Sequence, residues 1–161
     1  MIPCHSERVR GICISALLIL AATANAQVAP KMQLYPKADI VWKAGPAALP
    51  NGVQSTILEG DPTKPGLFTM RLKFPAGTIV NAHYHTATEH ATVIAGTLHI
   101  GMGDKFDRTN TKPMPSGSFG FWPAGMHHYA WMEGEVILQL HGEGPWTATY
   151  VNPADDPRGK K

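Results

Sequence analysis

The chain has 161 residues, with 14 Lys and Arg against 12 Asp and Glu, a formal charge of +2 at neutral pH and 43% hydrophobic residues. That length suits one ordinary domain, and the near balance of charge argues against a nucleic-acid or acidic-membrane partner. The two cysteines, Cys4 and Cys13, both lie near the start.

The first 26 residues read as a secretory leader. Arg8 and Arg10 supply its positive end, Ile12 to Ala22 its apolar stretch, and Ala24-Asn25-Ala26 an A-x-A cleavage site. The apolar run is well short of the ~20 residues that span a bilayer. Cleavage before Gln27 removes both cysteines, which excludes disulfides and thiolate ligands from residues 27–161. The expected location is outside the inner membrane, in the periplasm, with no membrane span after cleavage.

Beyond the leader, Gly and Pro recur at short intervals, and between them lie short runs rich in Val, Ile, Thr, Phe, Trp and Leu. This pattern predicts an all-β domain over residues 27–161, with arms at both ends. The predicted strands are Asp39 to Trp42, Gln54 to Glu59, Leu67 to Phe74, Thr78 to His85, His90 to Ile94, Thr97 to Met102, Ser118 to Trp122, His128 to Trp131, Val136 to His141 and Thr147 to Val151. Pro75-Ala76-Gly77 reads as a tight turn. Ala95-Gly96 and Glu133-Gly134-Glu135 read as hairpin turns, and Asp104 to Ser116 as a polar loop. The cluster Arg158, Gly159, Lys160 and Lys161 reads as a solvated tail.

Seven of the eight histidines follow the leader. His83 and His85 are two apart on a predicted strand and so share a face. Glu89 opens the next strand, and His128 comes later, just after Pro123-Ala124-Gly125. Three imidazoles and a carboxylate converging on one point suit a divalent metal, with Fe, Mn, Ni and Zn all compatible. His90 and His127 neighbour these residues on their strands, so alternation sends them to the opposite face. His99 lies between Leu98 and Ile100, which read as inward, leaving His99 outside. Gln139 and His141 share one face of their strand. If that face looks inward, both would support the metal or touch substrate. Trp122, Trp131, Phe119, Phe121 and Tyr129 read as core and interface bulk.

The stretch from Gly77 to Gly96 resembles the first motif of the cupin superfamily, G-x5-H-x-H-x3-E-x6-G, at every spacing. Gly117, Pro123, Gly125 and His128 match the second motif, G-x5-P-x-G-x2-H-x3-N, whose closing Asn is replaced by Met132. The resemblance implies a single double-stranded β-helix, the jelly-roll barrel, and a metal site made of His83, His85, Glu89 and His128. In cupins that Asn makes a turn contact and does not ligate. Gly60-Asp61-Pro62, Gly101 to Phe106 and Tyr150 to Pro157 resemble small secreted bacterial cupins of unassigned activity.

Motif and fold leave the reaction open. One reading is a metal-dependent enzyme on a small organic molecule, an oxidoreductase such as a dioxygenase acting on a phenolic or enolic substrate, or an isomerase or hydrolase. Glu89 would then also accept a proton. The alternative is a periplasmic metal- or ligand-binding or sensing protein without turnover. A third is a barrel that serves only in assembly. The apolar residues Leu34, Tyr35, Ile40 and Trp42 predict a homodimer with the arm from Gln27 to Trp42 crossing its interface.

Overall fold

The structure, a computed structural model, describes residues 31–160. The leader expected over residues 1–26 and the cleavage point at Gln27 lie outside them. Residues from Leu34 onward form one compact unit, and residues 31–33 carry no regular secondary structure. No helix among the described residues is long and apolar enough to cross a membrane.

Among the described residues nine strands follow one another: β1 (Lys43–Ala44), β2 (Gln54–Glu59), β3 (Gly66–Phe74), β4 (Ile79–His85), β5 (Glu89–Met102), β6 (Lys112–Pro115), β7 (Phe119–Trp122), β8 (His128–Gly144) and β9 (Ala148–Tyr150). All neighbouring pairs are antiparallel. The two long strands, β5 and β8, pair along most of their length and shape the molecule. Their first pairing zone, from His90 opposite His141 to Ala95 opposite Ile137, is flanked by β7 on one side and β3, β2 and β1 on the other. The second zone, from Thr97 opposite Glu133 to Met102 opposite His128, is flanked by β6 and by β4 and β9. The result is the cupin jelly roll: two facing sheets that share two long bent strands.

The core follows from alternation along those strands. Met70, Leu72 and Phe74 of β3, Ala91 and Val93 of β5, and Val136, Leu138 and Leu140 of β8 are buried from the first sheet. Val80, Leu98, Ala130 and Met132 are buried from the second. On β5 the inward positions change from odd to even between Val93 and Leu98, because the register shifts on either side of Ala95. Bulges of this kind let one strand present its apolar face to the same core on both sides of a bend.

Several sequence expectations are corrected. Ala95-Gly96 is not a hairpin turn but the bend inside β5, and Glu133-Gly134-Glu135 is the matching bend inside β8. A positive-φ glycine serves a bulge as readily as a tight turn, and Gly96 (φ 78°) and Gly134 (φ 81°) both have that conformation. The polar loop expected over Asp104 to Ser116 contains β6, whose Pro113 and Pro115 are tolerated because this strand pairs only with β5. Asp39 to Trp42 is not a strand. Asp39 N–H donates to Pro36 (2.9 Å) and closes a 3-10 turn over Lys37–Asp39, and pairing starts at Lys43. The basic end, expected as a solvated tail, is exposed over Arg158 to Lys160 and is also anchored. Arg158 forks onto Asp156 (2.6–3.0 Å) and donates to the Ala148 carbonyl (3.1 Å).

Candidate metal centre

Four buried polar residues, His83, His85, Glu89 and His128, line one cavity. Local structure places each of them. The register of β4 shifts between Val80 and His83, so these residues, three apart, both line the same cavity. His85 follows on the same face. Glu89 opens β5 in the first sheet, paired with Trp122, after a short connection. His128 opens β8 directly opposite His83. Gly125 (φ 77°), in the turn before β8, donates its N–H to the His85 carbonyl (2.9 Å) and ties the two motif segments together.

The tautomer of each imidazole follows from its backbone partner. Nδ1 of His83 donates to the carbonyl of Asn81 (2.7 Å), that of His85 to Thr147 (3.0 Å) and that of His128 to Met126 (2.9 Å). A carbonyl only accepts, so Nδ1 carries the proton and Nε2 of the neutral ring presents a lone pair. The three rings offer ligand atoms within 4.8 Å of one another, a group able to hold a metal ion. Buried Nε2 of His85 has no hydrogen-bond partner.

Glu89 Oε2 lies 3.0 Å from His85 Nε2 and 3.3 Å from His128 Nε2. Donors at ~2.1 Å from a common ion stand ~3.0 Å apart at right angles and ~3.4 Å apart at the tetrahedral angle. These two separations are those of neighbouring donors on one ion, while the ligand atoms that all lie within 4.8 Å of one another are those of the three histidines, without Glu89. Burial opposes charge on Glu89, but the neighbouring His128 and His85 nitrogens outweigh it and hold the carboxyl far below the usual carboxylate range. Burial, reinforced by the adjacent His128 and His85, lowers His83 to about 3, so this ring is neutral at physiological pH.

The surrounding wall is apolar. Trp146 stacks on His85 (4.1 Å between centroids, 14° between planes) and Trp122 on His128 (5.5 Å, 22°). Both line a cavity of about 40 Å³ with Leu49, Ile100, Met132 and Leu140 among others. Trp146 was not among the residues that the sequence singled out. Nothing in the run Gly144-Pro145-Trp146 signals its contact with His85, which only the return of the chain after β8 creates.

Gln139 and His141 do not face the cavity, contrary to the conditional reading above. Leu138 and Leu140 take the inward positions on β8, so the residues beside them point out. Gln139 accepts from Arg71 Nε (2.9 Å), and His141 stacks on His90 (4.9 Å) on the outer surface. His127 is also outside, bonded to Asp104 (2.6 Å) and stacked on Tyr84. His99 is half-buried rather than exposed, stacked on Trp131 (3.9 Å) and bonded to Glu133 (2.8 Å). Met132, in place of the motif's Asn, is buried in the cavity wall, while its backbone exchanges hydrogen bonds with Gly77 and Thr78 (3.0 Å each).

Comparison with known proteins agrees with this architecture. Residues 36–156 match a family model described as Domain of unknown function (DUF4437). The chain belongs to this family, within the cupin superfamily. The cupin is 30% identical over 94 residues to Germin-like protein subfamily 3 member 2 of Arabidopsis thaliana, covering 55% of this chain and 41% of that one. It thus spans about two-fifths of that relative's length. Its fold resembles that of an RmlC-like cupin from Shewanella frigidimarina (TM-score 0.53, 16% identity, 70% of this chain and 91% of that one). It also resembles a protein from Methylibium petroleiphilum provisionally assigned as an acetylacetone dioxygenase (TM-score 0.59, 20% identity, 81% and 88%).

Proposed function

We propose that the protein is a metal-dependent cupin enzyme acting on a small organic molecule, with His83, His85, Glu89 and His128 as ligands of one divalent ion. The observation that carries this reading is the common arrangement of the three imidazoles. Each is fixed through Nδ1 to a backbone carbonyl, the ligand atoms of the three rings lie within 4.8 Å of one another, and Nε2 of His85 and of His128 faces Glu89. Backbone anchoring of the distal nitrogen fixes ring orientation and raises ligand basicity.

A bound ion supplies Lewis acidity, which stabilises negative charge on a substrate oxygen. The chain's own contributions are distinct. The histidines orient the centre, Trp122 and Trp146 cover two of the rings, and the apolar cavity limits water around the reacting groups. Glu89, the carboxylate beside His85 and His128, would accept a proton from the substrate and pass it to solvent, and so stay ionised. Oxygenation of an enolic or phenolic compound is the most concrete form of this reading. Isomerisation at the same centre uses the same groups.

The test is elemental analysis of the purified protein, followed by oxygen-uptake assays with enolic and phenolic compounds on protein loaded with Fe(II), Mn(II), Ni(II) or Zn(II). Metal bound one to one, with substrate-dependent turnover by one of these forms, is the expected result. Metal bound tightly without turnover of any compound would favour the binding or sensing role. We further propose that the leader directs export to the periplasm and that the folded chain pairs into a homodimer.

A further inference from the structure

The cavity wall is notable for what it lacks. Apart from His83, His85, Glu89 and His128, its lining among the described residues contains no Arg, Lys, Asp, Ser, Thr, Asn or Gln. The basic residues of β3 sit on the other face. Arg71 and Lys73 alternate with buried Leu72 and Phe74; Arg71 is bonded to Gln139, and Lys73 Nζ lies 4.8 Å over the ring of Trp42. A ligand in this cavity therefore meets no charged side chain except at the four convergent residues, and the further polar groups of the lining side chains are the indole N–H groups of Trp122 and Trp146, the latter buried without a partner.

Charge balance then restricts the ligand. A divalent ion held by three neutral imidazoles and one carboxylate has a net charge of +1. A ligand with one negative charge neutralises the centre. A ligand with two leaves a net negative charge among Leu, Met and Trp side chains, with no cation in the wall to offset it. An unpaired charge in such surroundings is strongly disfavoured. A neutral polyol or sugar meets a different obstacle, because its several hydroxyls give up water and find, apart from indole N–H groups, no side-chain partners in the wall. Size adds a limit. The cavity of about 40 Å³ holds a few waters at roughly 10–15 Å³ each, which restricts the part of a ligand inside it to a few heavy atoms.

We propose, resting on the reading that this site holds a divalent ion, that the cavity selects its substrate by charge. It takes a small apolar molecule that chelates through two oxygens and brings one negative charge, an enolised 1,3-dicarbonyl. It rejects dicarboxylates of the same size and donor spacing.

Pentane-2,4-dione and malonate form a matched pair for the test. Both place two oxygens across a three-carbon bridge, and they differ in carrying methyl groups or further anionic oxygens at the ends. The full chain is loaded with Co(II), its cobalt content is measured, and each compound is titrated at neutral pH while the cobalt absorption bands are followed. The dione is expected to saturate the spectral change at a concentration roughly 100-fold below that needed for malonate. Malonate binding as tightly as the dione, or more tightly, overturns the charge rule and leaves the metal reading standing. A chain that takes up no cobalt ends both. Ile100→Lys places a cation in the cavity wall and is expected to tighten malonate binding by at least ~10-fold. A folded, cobalt-loaded variant with unchanged malonate affinity also counts against the rule.

Discussion

At the scale of single residues, the centre depends on where three protons sit. Nδ1 of His83, His85 and His128 is committed to the carbonyls of Asn81, Thr147 and Met126, which leaves Nε2 of each neutral ring as a lone-pair donor. His85→Ala is expected to lower divalent-metal affinity by at least ~100-fold in competition with a chelator. Glu89→Gln keeps the shape but removes the negative charge, and weaker metal retention in the same assay is expected. Acid acts on the metal-free protein through the same groups. His83 titrates near 3 in the folded chain, against ~6.5 for an unperturbed imidazole. Between these values the unfolded chain binds the extra proton, so the stabilising contribution is complete above ~6.5 and is lost as pH falls toward 3. Glu89, whose carboxyl is also held low, has the same sign: its contribution is present above the unfolded carboxyl value and is lost on acidification. Urea midpoints of the metal-free protein are therefore expected to fall below ~pH 6.5, and His83→Leu to flatten that slope. A slope unchanged by the substitution would show that the pH dependence comes from other groups.

At the scale of elements, the bends in β5 and β8 bring Glu89 and His128 to the same end of the barrel. Their glycines are not equivalent. A Cβ on Gly96 would collide with the carbonyl of Glu135 across the pair, whereas a Cβ on Gly134 would meet nothing nearby. Both glycines have positive φ. Gly134→Ala is expected to cost about 1–2 kcal/mol of backbone strain, and Gly96→Ala roughly 2–4 kcal/mol because the strands must also part. Denaturant titration of the two variants measures the difference. Equal losses would mean that the β5–β8 bend tolerates the added methyl.

At the scale of the whole molecule, processing and assembly are both open to direct measurement. Mass spectrometry of protein exported from a bacterial host is expected to find an N-terminus near Gln27, and an intact Met1 on the soluble product would refute cleavage. Leu34 and Val41 expose 75% and 68% of their surface in the described chain, and Phe119 and Phe121 on β7 expose more than half. Exposed apolar groups of this size are usual at interfaces between subunits. Light scattering of the mature form is expected to give a dimer at micromolar concentration, and loss of residues 27–42 to weaken it. A dimer unaffected by that truncation would move the interface away from the arm.

What the sequence determined by itself was local. The spacing of Gly77, His83, His85, Glu89 and Gly96, and of Pro123, Gly125 and His128, reflects strand alternation and turn geometry, which act over a few residues. Alternation was also sufficient to turn His90, His99 and His127 away from the four convergent residues. It failed where its phase depends on a partner strand. Whether Leu138 and Leu140 or Gln139 and His141 face inward is set by the pairing of β8 with β3 and β5, and that pairing puts the leucines inside. Gly96 and Gly134 carry the same turn signal whether the chain reverses or bends, and only the continuation of the β5–β8 pair beyond them decides for bending. Trp146 reaches His85, 61 positions away in the chain, through the return that follows β8. Tertiary structure decided these points because strand register and cavity walls are made by segments remote in the chain, whose contacts leave no short-range pattern to read.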